Sequence, residues 1–194
     1  MSSNIVLAVV GGQGILLAAE IVGAAAVKEG YNARVSELHG MAQRGGSVTS
    51  HVRFGEEVYS PLIQRGKADF LIALEELEGL RYAYYLKPHG KVILNRKKVK
   101  PSFMNPSCAP YPDDVATQLT SMDFDVDTVN AFEIANDLGN PKMENITVMG
   151  VLSRYLPFII SVWERVIKES VPAKTIDINL TAFRKGRDCA GGKG

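Results

Sequence analysis

The first thirty residues constrain this chain most. Ile5–Val10 (IVLAVV) is an unbroken apolar run that stops at Gly11-Gly12-Gln13-Gly14, and Ile15–Lys28 follows with good helix formers. A short apolar run with β-branched members, ended by glycine, reads as a strand buried on both faces. The helix after it is apolar nearly all round, with Gly30 just beyond as its C-cap, so it is buried on more than one side. A strand covered above and below demands layers on both faces of its sheet. The span is also long enough for a membrane helix, but Glu20 would then sit in hydrocarbon at a cost of ~2.5–3.5 kcal/mol. The glycines interrupt the run, and no Lys or Arg precedes Lys28 to make a signal peptide.

Strand and helix signals alternate from there. Ala33–Glu37 reads as a strand. Val48–Phe54 reads as another, with Thr49, His51 and Arg53 on a face expected to be wet. Phe70–Leu74 and Lys91–Asn95 are further strands, separated by a helix over Leu77–Leu86 and a Pro88-His89-Gly90 turn. Residues 96–112 hold four prolines and a basic cluster (Arg96, Lys97, Lys98, Lys100), expected as an exposed connection with solvated charges. Then come a short helix at Asp113–Leu119, a last strand at Phe124–Val129, and helices at Ala131–Leu138, at Ile146–Leu156 with Asn145 as its cap, and at Ser161–Glu169. Ile176, Leu180 and Phe183 have helical spacing, and Ala190–Gly194 is expected to fray. These elements predict an α/β fold: one three-layer α/β/α domain over residues 1–194, with a largely parallel sheet and a helical C-terminal portion from about 130 to 187.

Composition removes several functions. Lys and Arg total 22 against 21 for Asp and Glu, so no field of one sign exists to gather nucleic acid or an anionic membrane. Two cysteines, Cys108 and Cys189, cannot supply an iron–sulfur cluster or a structural zinc site, and are too few for a secreted disulfide scaffold. A reducing, cytoplasmic compartment is the expected location. His39, His51 and His89 lack metal-ligand spacing, and no nucleophile elbow, zincin helix or P-loop is present. No catalytic residue is expected in this chain. Glu75, Glu76 and Glu78 open a predicted helix, where its N-terminal dipole accounts for them.

Two loops remain as candidate sites. Gly11, Gly12, Gln13 and Gly14 join the first strand to the first helix, where backbone N–H groups converge and can stabilise a phosphate or carboxylate. The dinucleotide fingerprint is incomplete, because Leu17 stands where its third glycine belongs, although Glu37 lies near the distance expected of a ribose contact. A free-standing nucleotide-binding oxidoreductase is therefore an alternative reading. The second loop is Glu37–Ser47. His39 brings an imidazole, the side chain able to change charge near neutral pH, Gln43 and Arg44 offer donors, and Gly45 and Gly46 permit close approach of ligand or partner.

At these loops the chain resembles the gamma-type subunits of 2-oxoacid:ferredoxin oxidoreductases, most of all the indolepyruvate:ferredoxin oxidoreductase beta-subunit branch. The resemblance rests on Gly11-Gly12-Gln13-Gly14, on Glu37-Leu38-His39-Gly40-Met41-Ala42-Gln43-Arg44-Gly45-Gly46-Ser47-Val48 and on His51-Val52-Arg53-Phe54-Gly55. It extends through Tyr59-Ser60-Pro61, Leu74-Glu75, Glu78, Arg81-Tyr82, Gly139-Asn140, Asn145 and Asn179 to nearly the whole chain. One departure is Val9, which stands where the family usually has glycine. The resemblance implies CoA-dependent oxidative decarboxylation of a 2-oxoacid, with electrons passed to ferredoxin. It implies thiamine diphosphate, Mg and iron–sulfur clusters on a large partner subunit, CoA as co-substrate, and no cofactor bound by this chain. The two loops are then expected to face substrate, CoA or that partner, and the bare docking face can pair with a second copy of the chain, giving a homodimer in isolation.

Overall fold

The structure, a computed structural model, describes residues 2–12, 14–39, 46–99 and 110–189. Six strands form one sheet: β1 (Ser3–Val10), β2 (Asn32–His39), β3 (Ser47–Gly55), β4 (Ala68–Ala73), β5 (Leu86–Asn95) and β6 (Asp125–Val129), in the order β2-β3-β1-β4-β5-β6. β1, β4, β5 and β6 are parallel neighbours, and β3 alone runs against both strands beside it. Helices α1 (Ile15–Lys28), α2 (Glu76–Tyr82), α3 (Val115–Ser121), α4 (Ala131–Asp137), α5 (Glu144–Leu152), α6 (Ile160–Ser170) and α7 (Ile176–Cys189) cover its two faces.

The alternation of β1 builds the layers. Ile5, Leu7 and Val9 enter a core shared with α1 and the C-terminal helices, which includes Trp163 and Phe183. Val6 and Ala8 enter a second core with Ile63, Leu71, Leu94 and Leu119, under α2 and α3. Both faces of the strand are dry, as an unbroken apolar run requires. Val9 is fully buried and paired with Val48, so the residue that replaces the family glycine fills the core and does not stand in the turn.

Several expectations are corrected. The face of β3 expected to be wet is dry at Thr49, 4% exposed, and His51, 1% exposed, while Arg53 is half-buried; Tyr85 packs edge-on against the His51 ring and Ile63 donates its N–H to Nδ1 at 3.1 Å. Polar alternation there does not mark solvent at Thr49 and His51. Pro88-His89-Gly90 lies inside β5 as an irregularity, since pairing jumps from Ala68 with Leu86 to Phe70 with Lys91. The helix drawn over Leu77–Leu86 stops at Tyr82 and tightens into a 3₁₀ turn. Asn145 does not cap a helix: α5 starts one residue earlier and is buried along its whole length. Near the C-terminal end of α7, Arg184 pairs with Glu164 and Arg187 donates to Ser153 Oγ at 2.8 Å. The expected fraying of 190–194 falls outside the described residues.

Candidate functional site at the carboxyl edge of the sheet

Parallel strands deliver their carboxyl ends to one edge, where open α/β sheets place ligands. Asn95, fully buried at the end of β5, ties this edge together. Its Nδ2 donates to the Leu74 carbonyl at 3.2 Å, and its Oδ1 accepts from Ala131 N at 2.9 Å. The two glycine loops meet here: Gly11 N donates to the Gly46 carbonyl at 2.9 Å. Gly12 (φ 100°) and Gly14 (φ 72°) both adopt the left-handed region that side chains disfavour, and Gly14 is the N-cap of α1, with no side chain capping that first turn. His39 is the last residue of β2, its backbone paired with Val48. Gln13, Gln43, Arg44 and Gly45 lie outside the described residues.

Beside the glycine turn opens a cleft of about 440 Å³, bounded by Gly12, Gly14, Lys97, Phe132, Glu144 and Asn145 among others. Asn145 Nδ2 donates to the Gly14 carbonyl at 3.1 Å, so the start of α5 is bolted to the start of α1. Glu144, 5% exposed, receives Lys97 Nζ on both carboxylate oxygens at 2.9 and 2.8 Å. That ammonium also sits 4.6 Å from the centre of the Phe132 ring. Lys97, which the sequence places among solvated charges, is a cation of the cleft wall.

The acids at the start of α2 do more than complement a dipole. Glu75 is 1% and Glu78 2% exposed. Glu75 caps the helix through Glu78 N at 2.9 Å and also accepts from Val99 N at 3.0 Å and from the Tyr111 hydroxyl. Tyr111 in turn accepts from Leu77 N at 3.0 Å, and Glu76 N donates to the Lys97 carbonyl at 2.9 Å. The first-turn amides of α2 are thus spoken for, and the chain leaving β5 is fastened to the helix. Burial, then the neighbouring Glu75 carboxylate, pushes the Tyr111 hydroxyl well up, so it stays a donor. Glu78 holds Arg81 at 2.7 Å and the Ser47 hydroxyl, which lies 2.7 Å from the Tyr82 hydroxyl, so the far stem of the second glycine loop is anchored too.

The alternative nucleotide reading fails on topology. Glu37 sits on β2, and β3 separates β2 from β1. Two strand spacings, roughly 10 Å, therefore lie between the acid's strand and the strand that feeds the glycine turn, where a ribose contact needs neighbouring strands. Sequence reasoning missed Lys97, Glu144 and Asn145 as one group. No spacing rule pairs residue 97 with residue 144; the only signals were a lysine two positions past a buried strand and a Glu-Asn pair opening a helix.

Among the described residues, no group of three His, Cys, Asp or Glu side chains can hold a metal ion, and no helix is long and apolar enough to cross a membrane. The model of the pyruvate ferredoxin/flavodoxin oxidoreductase family matches residues 4–189. The indolepyruvate oxidoreductase subunit IorB of Archaeoglobus fulgidus is 44% identical over 190 residues, covering 96% of this chain and 94% of that protein. The 2-oxoglutarate synthase subunit KorC of Methanocaldococcus jannaschii is 30% identical, covering 98% and 95%. The gamma subunit of a keto/oxoacid ferredoxin oxidoreductase from Geobacter sulfurreducens shares the fold, with a TM-score of 0.74 at 22% identity over 97% of this chain and 98% of that one. With the family model spanning residues 4–189 and a relative 44% identical over 94% of its own length, the chain belongs to the pyruvate ferredoxin/flavodoxin oxidoreductase family, as a member of its small-subunit type.

Proposed function

We propose that this chain is the accessory subunit of a 2-oxoacid:ferredoxin oxidoreductase that acts on indolepyruvate or a related 2-oxoacid, in CoA-dependent oxidative decarboxylation with ferredoxin as acceptor. The observation that carries the choice of acid is the gap between 44% identity to an indolepyruvate oxidoreductase subunit and 30% to a 2-oxoglutarate synthase subunit, at equal coverage. The chain's two cysteines fall short of the four thiolates a cluster takes, so the redox groups are assigned to a large partner subunit. Thiamine diphosphate with Mg, when bound there, supplies the decarboxylation chemistry, and the clusters carry the electrons away.

What this chain supplies is an edge. Gly12 and Gly14 leave backbone exposed at the strand ends, Gly11 is tied to Gly46, and His39, at the end of β2, precedes Gln43, Arg44 and Gly45 in the chain. In this reading Gln13 and these loop residues face substrate, CoA or the partner. The chain forms one domain over its full length, works in the cytoplasm, and in isolation pairs with itself through the docking face. Co-expression with the large subunit, followed by 2-oxoacid-dependent viologen dye reduction, tests this. Turnover is expected only from the pair, with indolepyruvate preferred over pyruvate and 2-oxoglutarate. Full activity from the chain alone, or a complex that prefers 2-oxoglutarate, overturns it.

A further inference from the structure

The Lys97–Glu144 pair is built differently from an ordinary surface pair. Glu144 is buried while Lys97 keeps 22% of its side chain exposed, into the cleft. Two of the ammonium's directions are spent on the carboxylate and one face of Phe132 is covered by it, yet Phe132 remains 39% exposed. Across the cleft Asn179 is 2% exposed; its Nδ2 is spent on the Thr175 carbonyl at 2.7 Å, while its Oδ1 makes no hydrogen bond among the described residues. A part-exposed cation, a half-open ring and an amide oxygen left open by its own residue's hydrogen bond therefore line one concavity of about 440 Å³, the size range of small-molecule sites.

We infer that Lys97 is the charge-selecting residue of this cleft, and that the ligand it takes is an oxyanion joined to a planar, N–H-bearing ring. The ring lies on Phe132, its N–H meets Asn179 Oδ1, and the oxyanion competes with Glu144 for Lys97. The inference rests on the reading above that this edge faces substrate, and it names the residues that set the ligand's chemistry. Two sources carry that chemistry within the proposed reaction: an indole 2-oxoacid and the adenine nucleotide end of CoA. Glu144 is then an internal stand-in that keeps Lys97 placed and its positive charge compensated until the ligand arrives. Lys142, on the same wall, adds a second cation at the mouth.

The competition has a sign that a structural ion pair lacks. Either mutation breaks the pair, so a purely structural role lets both act in the same direction. The full-length chain is titrated by NMR or calorimetry with adenosine 3′,5′-bisphosphate, with indole-3-acetate and with inorganic phosphate. Glu144→Gln is expected to tighten the bound probe about fivefold, because the rival anion is gone, and Lys97→Met to weaken it about tenfold or more, on the scale of a charged hydrogen bond. Phe132→Leu should weaken the ring-bearing probes and leave phosphate unchanged. The stronger of the first two probes identifies the source. Absence of binding by all three, equal binding of phosphate and the ring-bearing probes, or a loss of affinity in both Glu144→Gln and Lys97→Met overturns the inference. Thermal unfolding of each variant shows whether it is folded, and Lys97→Arg, which keeps the charge, should retain binding if Met does not. Failure here with an active two-subunit complex would leave the accessory-subunit assignment standing, so the two readings fail separately.

Discussion

The two ends of α5 both depend on glycine, and for opposite reasons. At its N-terminal end Asn145 reaches Gly14 of the glycine turn, where a Cβ would meet only the Asn145 side chain, and the neighbouring Gly12 has nothing within 4 Å of the place a Cβ would occupy. Toward its other end Gly150 meets α7 backbone to backbone. A Cβ on Gly150 would collide with the Phe183 carbonyl oxygen, and one on Gly186 would collide with the Thr147 carbonyl oxygen. Gly12 is required by its dihedral angles and leaves open space beside a cleft. The second pair is required by contact and leaves none. Close backbone approach welds the C-terminal helices into one unit, while the turn keeps an accessible edge for a ligand or a partner.

The sharpest way to break that comparison is Gly186→Ala. Overpacking against unyielding backbone is expected to cost about 3 kcal/mol, a fall in Tm of roughly 6–12 °C for a chain of this size, read by thermal unfolding. Gly12→Ala meets no neighbour and has only its φ of 100° to resist it, so the expected cost is about 1–2 kcal/mol in denaturant titration. Equal losses from the two would show that the turn is packed as tightly as the helix crossing.

A third test sharpens the contrast between the buried face of β3 and the open edge. Burial pulls the His51 imidazole below its ordinary range of about 6.5, and its Nδ1 must stay unprotonated to accept from Ile63. The unfolded chain then binds a proton first as the pH falls, so stability is full above the unfolded value and is lost on descending from 6.5 toward the folded one. Urea titrations at pH 7.5 and pH 5 should show wild type losing stability at the lower pH and His51→Gln losing less. An unchanged slope would mean that the ring is solvated after all. The smallest effect is expected at the exposed Lys28–Glu169 pair between α1 and α6, N to O 2.9 Å. There Glu169→Ala should cost below about 0.5 kcal/mol by the same titration.

Much of this architecture could be read from the chain. The apolar run of β1, the glycine stop and the all-round apolar α1 forced a covered sheet, because no other arrangement buries both faces of such a strand. The sequence pattern of β3 misled for a related reason. Thr, His and Arg alternate there as on a wet face, but Thr49 and His51 are buried, His51 against Ile63 and Tyr85, contacts that local periodicity does not encode. The same limit hid the acids of α2. Three carboxylates at a helix start are explained locally by the dipole, yet Glu75 is defined by Val99 and Tyr111, which come from a distant part of the chain.

By itself the sequence determined the class of fold, the glycine turn and the family, because each is written in short stretches whose chemistry is local. Tertiary structure alone decided that β3 lies between β1 and β2, which parts Glu37 from the turn. It also decided that Lys97, Glu144 and Asn145 converge on the turn's flank. Strand order and helix packing are set by how whole apolar faces are shared between layers. A residue's long-range partners follow from that sharing and not from its neighbours in the chain.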